Sequence, residues 1–428
     1  MTRHTLVGVV LCLLLAMPLH AAAAVKVAVC VGCHKGVSPR IVSDWQSSRH
    51  AQTEGGATCI DCHGDEHSSP QNPDKAKLAT PETCRTCHPD RVEQFSKGKH
   101  AMGWKSYLAM PTTHWQPMVL RGGLKGCSGC HQIGLKSDEE IQELRKQGSD
   151  YGAASCDACH TRHLFSKQEA QSPQACRTCH MGIDHPQWEM YDASKHGVRH
   201  ELKVSGALPE DAAAPTCQFC HMVDGDHAVM TGWGFLGVRL PMPDDPQWTD
   251  DRTTVLKALG VFSPDGKPTP RLDVFKQTEA MRTTDEAFTK QREKMVGVCS
   301  NCHTESYARS ELSKGDDMIR VADGLLAESI RVVAALYKDG ILQKPDSYNY
   351  EYPDLLTYHD APTEIETRLW LMFLKHRMRT FQGAFHMNPD YSLWYGWSEM
   401  VQDRNWIAEH AKELRRRKKV QEALDLKE

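Results

Sequence analysis

The stretch ACRTCHMGIDHPQWEMYDASKHGVRH, residues 175–200, holds the pattern on which the fold turns. Cys176, Cys179 and His180 form a CxxCH motif, and three further histidines follow: His185, His196 and His200. His185 stands directly after Asp184. CxxCH is the attachment signature of c-type haem, in which two thiols anchor the porphyrin. The adjacent histidine becomes the proximal iron ligand. One axial place is then left on that iron, so three histidines cannot all share one task.

Reading outward, the same motif recurs until the cysteines run out. The chain has 17 cysteines, one of them Cys12 near the N-terminus. The other sixteen fall into eight motifs: Cys30, Cys33 and His34; Cys59, Cys62 and His63; Cys84, Cys87 and His88; Cys127, Cys130 and His131. Cys156, Cys159 and His160, then Cys176, Cys179 and His180, then Cys217, Cys220 and His221, and last Cys299, Cys302 and His303 complete the set. A zinc array does not require histidine directly after every second cysteine. A disulfide scaffold has no reason to keep one spacing throughout. The sequence therefore predicts eight covalently attached haem c groups with eight proximal histidines. Gaps of 20 to 43 residues between the first seven motifs leave little room for a protein core, so haem must supply the interior there.

The distal ligands come from the remaining histidines. Of 23, two (His4 and His20) lie near the N-terminus and eight are proximal, which leaves more than eight irons can use. WQSSRH ends at His50, FSKGKH at His100 and YDASKH at His196. Each has an aromatic five residues before the histidine and a basic residue one before it, which suggests one device reused to present an axial ligand. His67, His163 and His227 each follow a proximal histidine closely and are expected to cap neighbouring haems. His114 is a further candidate, and His200 has no assigned role.

The N-terminus reads as a leader. Arg3, an apolar run from Leu6 to Met17, and Ala22 and Ala24 before Val25 describe a secretory signal peptide over residues 1–24. Export to the periplasm follows. No later run approaches the roughly 18 apolar residues of a membrane span, so the mature chain is expected to lack one. A net charge of −4 and pI of about 6.6 provide no footprint for nucleic acid.

Beyond His303 the pattern changes. Met318, Val321, Leu325, Val332 and Leu336 follow helical spacing, with Gly340 placed to end the helix. Ile365, Leu369, Met372 and Phe373 mark a second helix, and a third is expected from about Leu393 to Leu424. The RRRKK run, residues 415–419, reads as a solvated helix face. The predicted class is thus mainly α with little β structure. A haem-packed region, residues 25–310, precedes a C-terminal helical bundle, residues 311–428. The segment MTGWGFLGVRLPMPDDPQWTDD, residues 230–251, is expected to be an ordered loop or a subunit contact.

A chain of bis-histidine haems can act as an electron conduit alone. A catalyst also needs an iron with an open place and proton donors beside it. Here the eight motifs, the CSGCH of KGCSGCHQIG (residues 125–134), the CRTCHMGIDHPQWEM stretch with SKHG, and GAFHMNPDYSLWYGW (residues 383–397) resemble the octahaem hydroxylamine oxidoreductase family. That family includes hydrazine dehydrogenase-like and nitrite-reducing relatives. The resemblance implies seven bis-histidine haems and a five-coordinate, catalytic fourth haem, held here by Cys127, Cys130 and His131. It also implies an Asp–His pair in the distal pocket, matched by Asp184–His185 ahead of Asp226–His227. Tyr307 is the match for a pocket tyrosine. Oxidising members carry a tyrosine from a neighbouring subunit bonded to the catalytic porphyrin, for which Tyr391 and Tyr395 are the candidates. Further implications are a homotrimer, a small inorganic nitrogen substrate, and a small or membrane-anchored cytochrome c as redox partner. Hydroxylamine oxidation is the leading expectation, ahead of nitrite or hydroxylamine reduction to ammonia and a non-catalytic conduit.

Overall fold

The computed structural model describes residues 26–109, 130–146, 155–357 and 363–425. Cys127, His114 and the predicted leader lie outside them. Among the described residues the only β features are two isolated bridges, Arg239 with Arg282 and Phe262 with Pro268. The chain is mainly α-helical, as its sequence class required. No helix among the described residues is long and apolar enough to cross a membrane.

The first part is built from short helices. Pro39–Ser47, Pro89–Lys97 and Lys195–Val204 are among the longest, and the motif helices Cys59–His63 and Cys217–His221 have five residues each. Helices this short are not stable on their own. Few apolar side chains are buried here: Val42, Val92, Phe95, Trp104, Met190 and Tyr191 are the larger ones. A branched cavity of about 2750 Å³ occupies the place of a core. Ordinary ligand pockets span roughly 300–1,000 Å³, so this space suits several large groups rather than one small one.

The protein's own core lies further along. Val238, Leu256, Leu259, Leu326, Ile330, Leu336, Leu369, Phe373, Met400 and Ile407 belong to one buried cluster. Each such side chain contributes roughly 1.5–3 kcal/mol by leaving water. The long helix Glu305–Lys338 is its axis. Helix Pro246–Ala258, segment Met378–Phe385 and the C-terminal helix Ser398–Asp425 all pack on it. The segment expected as an ordered loop or a subunit contact is irregular up to Asp245 and turns inward. Trp233, Leu236 and Val238 are buried within the chain, and Pro246–Ala258 is a helix. Asp245 caps that helix by accepting from the Trp248 amide at 2.9 Å, with Pro246 at its first position.

The buried face of Glu305–Lys338 overlaps the expected one in part: Leu336 is buried and Leu325 and Val332 pack against the core. Ile319, Ala322, Leu326, Ile330 and Val333 face the core, whereas Val321 is 40% exposed. Asp323 and Ser329, both buried, fall on the inner face. Asp323 accepts from Arg252 Nε at 2.8 Å, Arg377 Nη2 at 2.7 Å and Trp248 Nε1 at 2.8 Å. A buried aspartate interrupts an apolar stripe, so pattern reading rotates the face by about one residue. Gly340 ends the helix with φ +60°, a conformation that costs glycine least.

The next helix, Glu364–Leu371, continues through a π-helical segment, Met372–Arg377, into Met378–Phe385. A second π-helical segment, Leu393–Trp397, leads into the C-terminal helix. Arg416 and Arg417 of the basic run pair with Glu413 on the same exposed helix, and Arg415 pairs with Asp339.

Candidate functional site

Three of the reused frames share one geometry. In each, the aromatic lies in the last turn of one helix and the histidine occupies the second position of the next. Ser48 caps Arg49–Gln52 by accepting from the Ala51 amide, and Ser194 caps Lys195–Val204 by accepting from the Gly197 amide. Gly98 opens the short helix that carries His100. Lys99 Nζ donates to the carbonyls of Thr278 (2.7 Å) and Glu279, and burial pushes its pKa down to about 8. The break between helices turns each histidine inward while the aromatic stays buried or half-buried beneath it.

The histidines then meet in pairs across the cavity. Ring centroids lie 6.2 Å apart for His34 and His67, 6.0 Å for His63 and His163, and 6.3 Å for His88 and His50. They lie 6.2 Å apart for His160 and His227, 5.9 Å for His180 and His100, and 6.3 Å for His303 and His196. His221, half-buried, is held below the usual histidine pKa by burial and then by the neighbouring charge of His386. A metal–imidazole bond of about 2 Å on each side, plus half a ring on each side, reproduces these separations. Each pair includes one CxxCH histidine, and at least one cysteine of every motif lines the same cavity. The described residues therefore fit haem iron held between two imidazoles. His67, His163 and His227 each face the histidine of a motif other than the one they follow.

Sequence reasoning missed His386. It closes FQGAFH, residues 381–386, where Phe381 stands five before the histidine as in the other frames. The basic residue before it is replaced by Phe385, which hid the match. Replacing His386 by alanine is expected to convert one low-spin haem to high-spin, read by electron paramagnetic resonance. An unchanged low-spin count would show that His221 has another partner.

Neighbouring motifs are ordered by their cysteines. Cys30 lies beside Cys59, Cys62 beside Cys84, Cys84 beside Cys156, and Cys159 beside Cys176. Cys176 then meets Cys217, and Cys220 lies beside Cys299. The motifs thus run first, second, third, fifth, sixth, seventh, eighth. Cys130 of the fourth motif meets Cys179 of the sixth, so the fourth stands to the side of this line.

The fourth motif has different surroundings. Its His131 ring centroid is 6.0 Å from that of Tyr107, which stacks in turn on Trp104 at 5.7 Å. Burial lowers the His131 pKa first, the His185 charge lowers it further, and Asp184 opposes both. The Asp184–His185 pair is therefore close enough to act on the His131 side of the cavity, and both residues line it. Nothing in the sequence pointed to Tyr107.

His185 has acceptors at both ring nitrogens. Nδ1 faces Asp184 Oδ1 and Nε2 faces the Cys179 carbonyl at 2.8 Å. Burial alone would lower its pKa, but the hydrogen bond and charge of Asp184 and the carbonyl outweigh it and raise it. Two acceptors and a raised pKa favour the imidazolium. The other Asp–His pair is engaged elsewhere: Asp226 binds Lys294 at 2.9 Å and His227 faces His160.

The tyrosines fall outside this pocket. Tyr307 lies tilted against His303 with ring centroids 5.0 Å apart, is 50% exposed and does not line the cavity. Its place in the first turn of Glu305–Lys338, four residues past the eighth motif, ties it to that motif instead of to the Asp184–His185 pair. Tyr391 and Tyr395 contact each other at 5.0 Å on the outer face, where Tyr395 is 56% and Trp394 62% exposed. His200 lies 6.4 Å from Tyr191.

Comparison with known proteins agrees with this architecture. A family model described as "Seven times multi-haem cytochrome CxxCH" matches residues 30–239 and 274–348. A probable nitrite reductase–hydroxylamine oxidoreductase fusion protein of Kuenenia stuttgartiensis is 26% identical over 91% of this chain and 52% of its own length. The chain thus spans about half of that relative. Among solved structures, a reducing HAO-like protein complex of Kuenenia stuttgartiensis gives a TM-score of 0.67 at 22% identity, covering 94% of this chain and 88% of that one. A hypothetical multiheme protein gives a TM-score of 0.64 at 21% identity, covering 93% and 96%.

Proposed function

We propose, for a chain that belongs to the multihaem cytochrome CxxCH family, a periplasmic oxidoreductase that reduces nitrite or hydroxylamine to ammonia at the fourth motif. The observation that carries the direction is the state of His185. Both of its ring nitrogens face acceptors, the Asp184 carboxylate and the Cys179 carbonyl, and Asp184 raises its pKa, which favours a proton donor over a base. Reduction of nitrite or hydroxylamine consumes protons with electrons, whereas oxidation calls for a resting base. The reading departs from the hydroxylamine oxidation that the sequence resemblance put first.

A haem c held by Cys127, Cys130 and His131 supplies iron for the substrate nitrogen and a place for electrons to arrive. Asp184 orients the His185 ring and raises its pKa. The paired histidines would hold seven further haems, which would make the count eight and supply electron transfer along the motif order. The redox partner in this reading is a small or membrane-anchored cytochrome c. The names of the relatives, one a nitrite reductase–hydroxylamine oxidoreductase fusion and one a reducing HAO-like complex, support the same substrate class.

Oxidation of hydroxylamine is the second reading, and one observation favours it. Tyr395 and Trp394 are exposed, so a second copy in a homotrimer could receive Tyr391 or Tyr395 at its own fourth haem. Purified holoprotein supplied with a reduced viologen distinguishes the two. Nitrite- and hydroxylamine-dependent dye oxidation with ammonia released supports reduction. Hydroxylamine-dependent reduction of an acceptor, with a haem-bearing peptide whose mass includes a tyrosine peptide, would overturn it. Activity in neither direction would leave an electron conduit.

A further inference from the structure

Two glutamines stand between the axial histidines of neighbouring motifs and the Asp184–His185 pair. His180 Nδ1 is 3.3 Å from Gln187 Oε1, and Gln187 Nε2 is 3.0 Å from Gln382 Oε1. Gln382 Nε2 is 3.4 Å from the Asp184 carbonyl oxygen. The backbone carbonyl of Gln382 accepts from His386 Nδ1 at 2.8 Å. One residue thus touches the ligand of the seventh motif, the route to the ligand of the sixth, and the candidate proton donor's segment.

We infer that Gln187 and Gln382 are positioning residues that set the reduction potential of the sixth haem and tie its ligand to the Asp184 backbone. The inference rests on haem at the sixth motif; it does not require that Asp184–His185 serve a substrate. With Nε2 of His180 turned to iron, its Nδ1 carries the proton and can only donate. That fixes Oε1 of Gln187 as the acceptor and Nε2 as the next donor. Gln382 must then accept with Oε1 and donate with Nε2 to a carbonyl, which has no proton to give. One amide orientation satisfies every link, where a flip of either glutamine breaks two.

The surroundings hold this arrangement in place. Gln382 is 6% exposed, on the helix end Met378–Phe385. Gly383 next to it lets that helix touch Ser392, since an added Cβ would come within 2.7 Å of the Ser392 amide nitrogen. Asn388 Nδ2 donates to the Met190 carbonyl at 2.9 Å and so fastens the same end to helix Gln187–Asp192, which carries Gln187. An acceptor on the far nitrogen of a ligating histidine raises its basicity and favours the more oxidised metal. Gln187 therefore lowers the potential of the sixth haem.

The test is redox potentiometry of the holoprotein, followed by absorbance and electron paramagnetic resonance, for Gln187→Leu and Gln187→Glu. Gln187→Leu is expected to raise the potential of one low-spin haem and leave the others. Gln187→Glu, with a stronger acceptor, is expected to lower that same potential. Gln382→Leu should raise it too, by less, because Gln382 acts through Gln187. Potentials unmoved in both Gln187 variants at full haem content overturn the inference. If Gln187→Leu loses the sixth haem, the isosteric Gln187→Glu decides alone, and an unshifted potential is the negative result. Absence of activity on nitrogen compounds in the unaltered protein would sink the proposed function and leave these potentials readable.

Discussion

Replacing His185 by alanine is expected to slow turnover about 10²–10⁴-fold, the range by which a positioned general acid accelerates proton transfer. The low-spin haem count should stay as it was, because among the described residues His185 is not set opposite a CxxCH histidine at the 5.9–6.3 Å of the six facing pairs. Its ring centroid is 6.4 Å from His180, but both its nitrogens are turned to Asp184 and Cys179, and His180 faces His100. A steady-state assay paired with electron paramagnetic resonance separates the outcomes. Loss of a low-spin signal would make His185 an axial ligand, and unchanged turnover would remove it from the mechanism. Asp184→Asn adds a pH signature. The imidazolium is full below its pKa and lost as pH rises through it. Asp184 raises that pKa, so its amide replacement should bring the alkaline fall in rate to lower pH.

The second large effect concerns stability. Asp323 is fully buried between Arg252 and Arg377, which are fully buried too. Burial alone would raise its pKa, but the two guanidiniums hold it below the usual carboxylate range. Arg377 also donates to the Leu236 carbonyl at 2.6 Å, linking the segment before Pro246 to the two long helices. Asp323→Ala leaves two cations in the core with no counter-charge. Breaking a buried pair in this way costs about 3–5 kcal/mol. Thermal unfolding of the holoprotein, with haem absorbance as the measure of intact sites, should show a large drop in midpoint. A triple replacement by apolar residues of similar volume should recover much of it. A loss near 1 kcal/mol or less for Asp323→Ala would mean that water reaches the trio.

These two predictions draw on different amounts of sequence. Asp184–His185 was visible as a surplus pair beside a haem motif. Its protonation was not, because the Cys179 carbonyl reaches Nε2 only through the local turn of residues 179–185. Asp323 was hidden outright. In sequence it reads as a polar interruption, and its partners lie 54 and 71 positions away. Tyr107 carried no motif, and Tyr307, chosen by resemblance, lies against the eighth motif's histidine. His386 kept the aromatic spacing but lost the basic residue, so the frame was stated too narrowly.

The sequence by itself determined the cofactor chemistry and the helical class. Covalent attachment needs two thiols and a histidine within five residues, a requirement local enough to read one motif at a time. Helix periodicity beyond His303 is local in the same sense. The tertiary structure decided which histidines face each other, the order in which the motifs adjoin, and which side of the long helix is buried. Each of those depends on distances between residues far apart in the chain. A facing pair such as His63 and His163 has no signature until folding brings its two rings to 6.0 Å.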